Sequence, residues 1–366
     1  MAVNSFKRIT IVGVGLIGGS LGLAIKKRFP TAHVAGVDRK GVLRRALKRG
    51  AIDRSETDLG RAVRGADLVL LAAPLSAILH QLPIVARNCR RDAVVSDVGS
   101  VKLQVVRHAA KYFPRGNFVG GHPMAGIELS GIEGAHPLLF ENTIYILSPT
   151  RSTSRPLVKR LGNFLGEIGA RVVLLDPKVH DQVASAVSHL PQLTAVALMN
   201  VVGRRHRTAR NYLRLAAGGF RDLTRVASSR PDIWKDILDL NRGEIQRSLA
   251  LLIRELDLHS RLLRRQATSR LIPQFARARG LRSRIPKNMK GFLHPLAELY
   301  VFVHDRPGAL ARLTAALARG KVNIKDIELM KIREGTGGTF RLAFDSAQMC
   351  RRAEGILKKT GFEIGE

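Results

Sequence analysis

Apolar positions along the chain follow two periods, and the change from one to the other divides it. Up to about residue 176, short apolar runs alternate with stretches of helical spacing. Ile9 to Val12, His33 to Val37, Asp67 to Pro74, Ala93 to Val98, Asn117 to Gly120, Thr143 to Leu147 and Arg171 to Leu175 read as strands, and Leu16 to Arg28 as a helix. Near-continuous apolar runs mark strands covered on both faces. Their alternation with helices predicts an α/β fold with a mainly parallel, doubly wound sheet and right-handed crossovers. Ligands in such sheets sit beyond the carboxyl ends of the strands. Ser76, Ser100 and His122 each follow a predicted strand end.

From Pro177 the spacing becomes helical. Val179 to Val202 and Asp232 to Leu263 are long helical patterns joined around Gly218-Gly219, which predicts an all-α domain over 178–276. After Asp257 no acidic residue occurs until Glu298, and Gly280, Pro286 and Gly291 punctuate the stretch between. Residues 277–296 therefore read as a basic linker, extended by self-repulsion. Beyond it come a strand at 299–303, a helix at 308–319, strands at 322–330 and 339–344, a helix at 348–360 and a last strand at 362–364. That order is the ferredoxin-like βαββαβ arrangement, expected to form a separate domain over 297–366.

The first strand–helix junction carries the sharpest chemical signal. Gly13-Val14-Gly15-Leu16-Ile17-Gly18 leaves a strand and opens a helix, and Asp38 ends the next strand. An acidic residue about 20 positions beyond the glycines completes the dinucleotide fingerprint of a Rossmann-type domain, here 1–177. Gly13 permits the tight turn, Gly15 clears the way for a pyrophosphate, and Gly18 lets helix and strand approach. Unpaired N–H groups at the helix start attract the phosphates. Asp38 is placed to accept hydrogen bonds from ribose hydroxyls and to repel a 2′-phosphate, favouring NAD over NADP. Arg39 beside it softens that preference.

Composition changes the picture in one respect. Apolar and charged fractions of 45% and 25% are ordinary for a globular chain, and 366 residues suffice for two or three cores. Cys89 and Cys350 stand in no metal or redox spacing, so no metal site is expected, and the reading is cytoplasmic. Glycines interrupt the apolar stretch from Ile9 to Ile25, which argues against a secretory signal. No run of 18 or more apolar residues suggests a membrane span. The charge is the exception: 61 Lys and Arg against 29 Asp and Glu give a formal +32. Such a field draws anions of every kind. The basic residues are scattered, however, and aromatic residues make up only 5%. Nucleic acid is therefore expected to bind only non-specifically and in a salt-sensitive way. The basic run at 204–207 has no physical account beyond that general charge.

Five segments in order resemble the prephenate/arogenate dehydrogenase family of tyrosine biosynthesis. They are GVGLIGGS at 13–20, SDVGSVK at 96–102, GGHPMAG at 120–126, SHLPQ at 188–192, and GGFRDLTRVA at 218–227 with Trp234 seven residues beyond. VHDRPGAL at 303–310 and VNIKDIELM at 322–330 resemble an ACT domain, a small amino-acid sensor. The resemblance implies NAD-dependent oxidative decarboxylation of prephenate to 4-hydroxyphenylpyruvate. It makes His122 the residue that hydrogen-bonds the ring hydroxyl, a task suited to a neutral imidazole. Ser100 is implied to sit between cofactor and histidine, with a plain helix N-cap ahead of Val101 as the alternative. Arg225 is implied to grip a carboxylate with its planar fork. His189 would meet the substrate's polar end, with Gly219 and Trp234 close by.

Cofactor contacts are implied for Gly13, Gly15, Leu16, Ile17, Gly18, Asp38, Arg39, Ala73, Pro74, Ser76 and Ser100. An aromatic amino acid, with tyrosine as the obvious effector, would bind near Asp305, Pro307, Gly308, Ala309, Leu310, Asn323 and Ile324. The family logic also implies a homodimer through the helical domain. Gln192 stands where some relatives place a second histidine. Two rivals remain open at this stage. Arogenate carries an amino group where prephenate has a keto group, and the same residues would serve it. A non-catalytic sensor of NAD and an amino acid would not need Ser100, His122 and Arg225 together.

Overall fold

A computed structural model describes residues 6–125, 129–204, 209–285, 296–333 and 335–365. The chain divides into two compact units, Met1–Leu271 and Ile272–Glu366. In the first, the described residues form a sheet of eight strands. These are β1 (Arg8–Val12), β2 (His33–Val37), β3 (Arg54–Glu56), β4 (Leu68–Leu71), β5 (Val94–Asp97), β6 (Phe118–Pro123), β7 (Ile144–Ser148) and β8 (Arg171–Leu174). Their order is β3-β2-β1-β4-β5-β6-β7-β8. β1 to β6 pair in parallel, whereas β7 runs antiparallel to β6 and β8 follows β7. The sequence pattern passes over β3, whose Arg-Ser-Glu has no apolar residue to betray a strand.

Because β1 to β6 are parallel, the turn at Gly13, Ala73 after β4 and the loop after β5 all lie at one edge of the sheet. The order reverses between β1 and β4, which makes this edge the crevice where ligands bind in doubly wound folds. His122 does not follow its strand as expected. It lies inside β6, opposite Ile146 of β7, because the antiparallel β7 prolongs the ladder past Gly120.

Gly13 turns the chain at φ +90°, and a Cβ there would stand 2.6 Å from the Ala72 carbonyl oxygen. At Gly18 a Cβ would come within 1.9 Å of the Gly13 carbonyl oxygen. The helix Leu16–Arg28 is thus seated directly on the turn. Ile9, Ile11, Leu21, Ile25, Leu68 and Leu70 fill one side of the sheet. Val12, Val69, Leu71, Val95, Ile78 and Leu82 fill the other, and there Ile237 and Ile245 of the helical segment join them. Apolar burial therefore ties the helical segment to the sheet.

That segment opens with Pro177–Ala184, whose first amides at Lys178 and Val179 donate to the Asp176 carboxylate. It passes through a π-helical turn, Ser185–His189, into Leu190–Gly203. This 27-residue helix holds an 18-residue window of mean hydropathy 1.2 and is long and apolar enough to cross a membrane by length and composition, contrary to the expectation from the sequence. Yet His180, Asp181, His189 and Gln192 on it are buried inside the unit. The second long pattern is two helices, Asp232–Leu240 and Arg242–Arg264, that break at Asn241. Most of the basic run, residues 205–207, lies outside the described residues.

In the second unit a helix, Ile272–Arg282, occupies the start of the expected linker, so that part is not extended. Residues 286–295 lie outside the described residues. β9 (Ala297–His304), β10 (Asp326–Arg333), β11 (Gly337–Phe344) and β12 (Glu363–Gly365) form an antiparallel sheet in the order β10-β11-β9-β12. Helices Ala309–Arg319 and Ala347–Lys359 complete the expected βαββαβ. β10 begins four residues later than the apolar pattern suggests, because Val322 is already spent in the core.

Substituting Gly18→Ala should cost about 3 kcal/mol, since the obstacle is backbone and cannot turn aside. Gly15→Ala, with nothing within 4 Å of its Cβ position, should change stability by less than about 1 kcal/mol. Urea unfolding of the two variants checks the difference.

Candidate active site

The dinucleotide turn is held from below by Asp38. One carboxylate oxygen accepts the Val14 amide at 2.9 Å and the other the Arg39 amide at 2.7 Å. The helix that begins with Leu16 and Ile17 has no side-chain cap and no acidic residue in its first turn. Its start faces the open space above Gly15, so unpaired amides and the helix dipole are free to meet a phosphate. Arg39 is exposed. The neighbouring helix Leu75–Asn88, led by Pro74, is different: its Ser76 amide donates to Asp236 of the helical segment at 2.8 Å. That amide is accordingly committed within the protein.

Between β5 and β6 lies a fully buried ion pair. Lys102 and Asp97 are both inaccessible to solvent and in direct contact. Asp97 also accepts the amides of Gly99 at 2.9 Å and Gly121 at 3.1 Å, while the Lys102 ammonium donates to the Gly121 carbonyl at 2.7 Å. Burial pulls the Lys102 pKa down, and Asp97 opposes it. The loop carrying Ser100 is thereby fixed against the strand carrying His122. Ser100 is half-buried and is not an N-cap, because the following helix, Leu103–Ala110, starts two residues beyond Val101.

The His122 side chain is half-buried, and its Nδ1 lies 2.8 Å from Nε2 of His180. His180 Nδ1 in turn lies 2.8 Å from the Asp181 carboxylate. Asp181 also accepts the amides of Lys102 at 2.7 Å and Leu103 at 2.9 Å, so a side chain from the helical segment caps a helix of the sheet. Burial, reinforced by His180, Lys102 and His189, holds the His122 pKa well below the free imidazole value of 6.5. The sequence reading had passed over His180 and Asp181. Their signal is a His-Asp pair interrupting an apolar helical run, with a second polar pair, Ser188-His189, eight residues further on.

His189 is buried at the end of the π turn. Asn241 joins it to the rest: its amide nitrogen donates to the Asp181 carbonyl at 2.9 Å and lies 3.3 Å from His189 Nδ1. A carbonyl can only accept, which fixes the direction of the Asn241 amide and leaves the His189 proton on Nε2. Burial pushes His189 down to about 4, with Asp181 pulling the other way. Trp234 stacks edge-on to His189 at 6.0 Å, and Ser229 accepts from both Trp234 Nε1 and Gln192 Nε2. Gln192 is therefore a structural tie to the tryptophan. Arg225 is exposed at the head of the short turn Arg225–Ser228, which packs against Leu190–Gly203. Gly219 is exposed one turn earlier, in Gly218–Thr224, with open space around it.

Three family models match successive parts of the chain: the prephenate dehydrogenase nucleotide-binding domain over residues 21–174, its dimerization domain over 176–277, and the ACT domain over 297–348. The prephenate dehydrogenase of Bacillus subtilis is 37% identical over 355 residues, 96% of this chain and 95% of its own length. That of Lactococcus lactis is 33% identical, covering 98% and 99% of the two chains. This chain belongs to the prephenate dehydrogenase family. Among solved structures, A. aeolicus prephenate dehydrogenase in complex with hydroxyphenyl propionate and NAD+ superposes with a TM-score of 0.72 at 29% identity, covering 77% of this chain and 99% of the other.

The ACT unit of this family member holds a cleft of about 320 Å³ bordered by Asp305, Gly308, Ala309 and Leu310, with Leu329 and Phe340 opposite. Gly308, at φ +81°, caps the helix that begins there. Pro307, Asn323 and Ile324 do not line this cleft: Asn323 is exposed, and Ile324 packs on the core.

His122 and His189 stay neutral in the folded chain, whereas the unfolded chain protonates them below about pH 6.5. The unfolded state then binds more protons, so stability falls as pH drops from about 6.5 toward 4. Thermal melting should register a loss of about 2 kcal/mol from His189 between pH 7 and pH 5, with His122 adding to it in the same direction. His189→Gln should flatten that slope.

Proposed function

We propose that the chain catalyses the NAD-dependent oxidative decarboxylation of prephenate to 4-hydroxyphenylpyruvate. The carrying observation is an imidazole, His122, kept neutral by burial on the sheet whose first turn is an open dinucleotide cradle. Gly13 to Gly18 would hold the pyrophosphate and Asp38 the adenosine ribose; Leu16, Ile17, Arg39, Ala73, Pro74 and Ser76 would border it. NAD supplies the hydride acceptor.

His122 takes the proton of the ring hydroxyl as the hydride leaves the same carbon. The bond to the ring carboxylate then breaks, CO₂ departs, and its electron pair aromatises the ring. The proton returns from His122 to the phenolate oxygen, so the base is regenerated. Ser100 orients the imidazole and the nicotinamide. Arg225 pairs with a substrate carboxylate, and His189 offers its Nε2–H to the same polar end, with Gly219 and Trp234 shaping the space. A neutral donor at His189 keeps that contact insensitive to pH across the physiological range.

The protein is proposed to act as a homodimer in the cytoplasm. Val179, Val183 and Val187 recur every fourth residue on the face of the long helix turned away from the histidines, and all three are exposed at 41% or more. A stripe of this kind on a dimerization domain fits a second copy.

The deciding assay follows nicotinamide reduction by the purified protein with prephenate and then with arogenate. Faster turnover of prephenate is expected. His122→Asn should lower kcat by about 10² to 10⁴ and leave NAD affinity within about twofold. Undiminished turnover in that variant, or no reduction with prephenate, overturns the reading.

Tyrosine is proposed as the effector at the ACT cleft, and inhibition requires it to bind the less active state more tightly. Calorimetric titration of the full chain should give a binding heat for tyrosine that Asp305→Ala weakens at least about tenfold. No heat with either tyrosine or phenylalanine removes the effector claim.

A further inference from the structure

His180 and Asp181 hold positions that the proposed chemistry has not yet used. A carboxylate can only accept, and Asp181 meets three donors: the amides of Lys102 and Leu103, and Nδ1 of His180. The His180 proton therefore sits on Nδ1, and its Nε2 keeps a bare lone pair. That lone pair faces Nδ1 of His122 at 2.8 Å. The contact is a hydrogen bond only if His122 carries its own proton on Nδ1, which leaves Nε2 of His122 as the acceptor.

We propose that His180 and Asp181 are positioning residues which set the tautomer of His122, so that its Nε2 is the base presented to the substrate hydroxyl. The inference rests on His122 being that base. Nothing else in the strand fixes the tautomer. A neutral imidazole alone divides its proton between two nitrogens, and only one arrangement can remove a proton from a ligand on the far side of the ring. The same line of contacts serves the charged state. When His122 gains the hydroxyl proton, its Nδ1–H bond to His180 becomes charge-assisted, and the Asp181 carboxylate lies at the end of the line. Of the titratable neighbours of His122, only His180 is within hydrogen-bond distance of its ring, so only that contact can set the tautomer.

The test compares Asp181→Asn, His180→Leu and His180→Gln with His122→Asn in the full-length protein, using prephenate and NAD. An asparagine at 181 must present N–H to one of its three donors. Where it does so to His180, the proton moves to Nε2 and drives His122 into the wrong tautomer. Asp181→Asn and His180→Leu should each lose about 10² in kcat, with KM for both substrates within about threefold. His180→Gln accepts from His122 and donates to Asp181 through one carboxamide, so it should recover to within about tenfold of the unaltered protein. A role in folding alone would not produce that recovery.

Nitrogen-15 NMR of histidine-labelled full-length protein gives a second, activity-independent readout. The proton of His122 should be on Nδ1 in the unaltered protein and on Nε2 in Asp181→Asn. If His122→Asn abolishes turnover while Asp181→Asn and His180→Leu keep it within about threefold, the relay is wrong and the assignment of the base stands. If the unaltered protein fails to reduce NAD, the base assignment falls. The NMR result then still decides the tautomer: a proton on Nδ1 upholds the relay, and one on Nε2 overturns it.

Discussion

The buried contact between Asp97 and Lys102 is the constraint from which the site is built. Two unit charges taken out of water carry a large desolvation cost, and their mutual attraction alone seldom gains more than an apolar pair would. What distinguishes this pair is how completely its remaining valences are used. Asp97 takes two backbone amides, and Lys102 gives a hydrogen bond to the Gly121 carbonyl. Gly121 is thus gripped by both its N–H and its C=O, one residue before His122. Removing either charge would strand the other at about 3–5 kcal/mol, and the registration of β5 against β6 would go with it. The pair specifies position, and apolar burial supplies the stability.

From Lys102 the constraint passes to the helical segment through one carboxylate. Asp181 accepts the backbone amides that open the helix Leu103–Ala110, which no residue of the sheet portion caps. Its own carbonyl is taken by Asn241, whose amide also reaches His189. In an unbroken α-helix Asp181 and His189 would stand about 80° apart around the axis. The π turn between them rotates less per residue and brings them toward one line, in keeping with the frequent use of such turns at functional sites. Three stretches far apart in sequence therefore meet through hydrogen bonds whose directions are all determined.

Much of this was legible in the sequence. The strand pattern, the helix after the glycine turn and the βαββαβ order of the last 70 residues follow from period and spacing, because the central strands are buried throughout and the last elements each keep one buried face at regular spacing. Gly13 and Gly18 show the close approaches that their pattern implies. The losses have specific causes. β3 is a polar edge strand. His122 entered the ladder because β7 reverses direction, and an antiparallel neighbour leaves no mark on the residues of β6 itself. The helix at 277–282 formed in a basic stretch whose charge suggested extension. His180 and Asp181 escaped notice because a π turn inserts without a sequence signature. Read with strict helical spacing, the two polar pairs on that helix face different ways.

Holding His122 in the ladder with β7 has a mechanical corollary. Its backbone is paired opposite Ile146, Gly121 before it is tied to Asp97 and Lys102, and its ring meets His180, so the place of the imidazole is set before any ligand arrives. Adjustment to an incoming molecule then falls to parts outside the ladder. The stretch from Gly218 to Ser228, short and mostly exposed helical turns with Arg225 at their junction, lies outside it. Under the proposed function, a base held in a sheet ladder is separated from an exposed pair of helical turns, and discrimination among ring substrates of similar outline would fall to those turns.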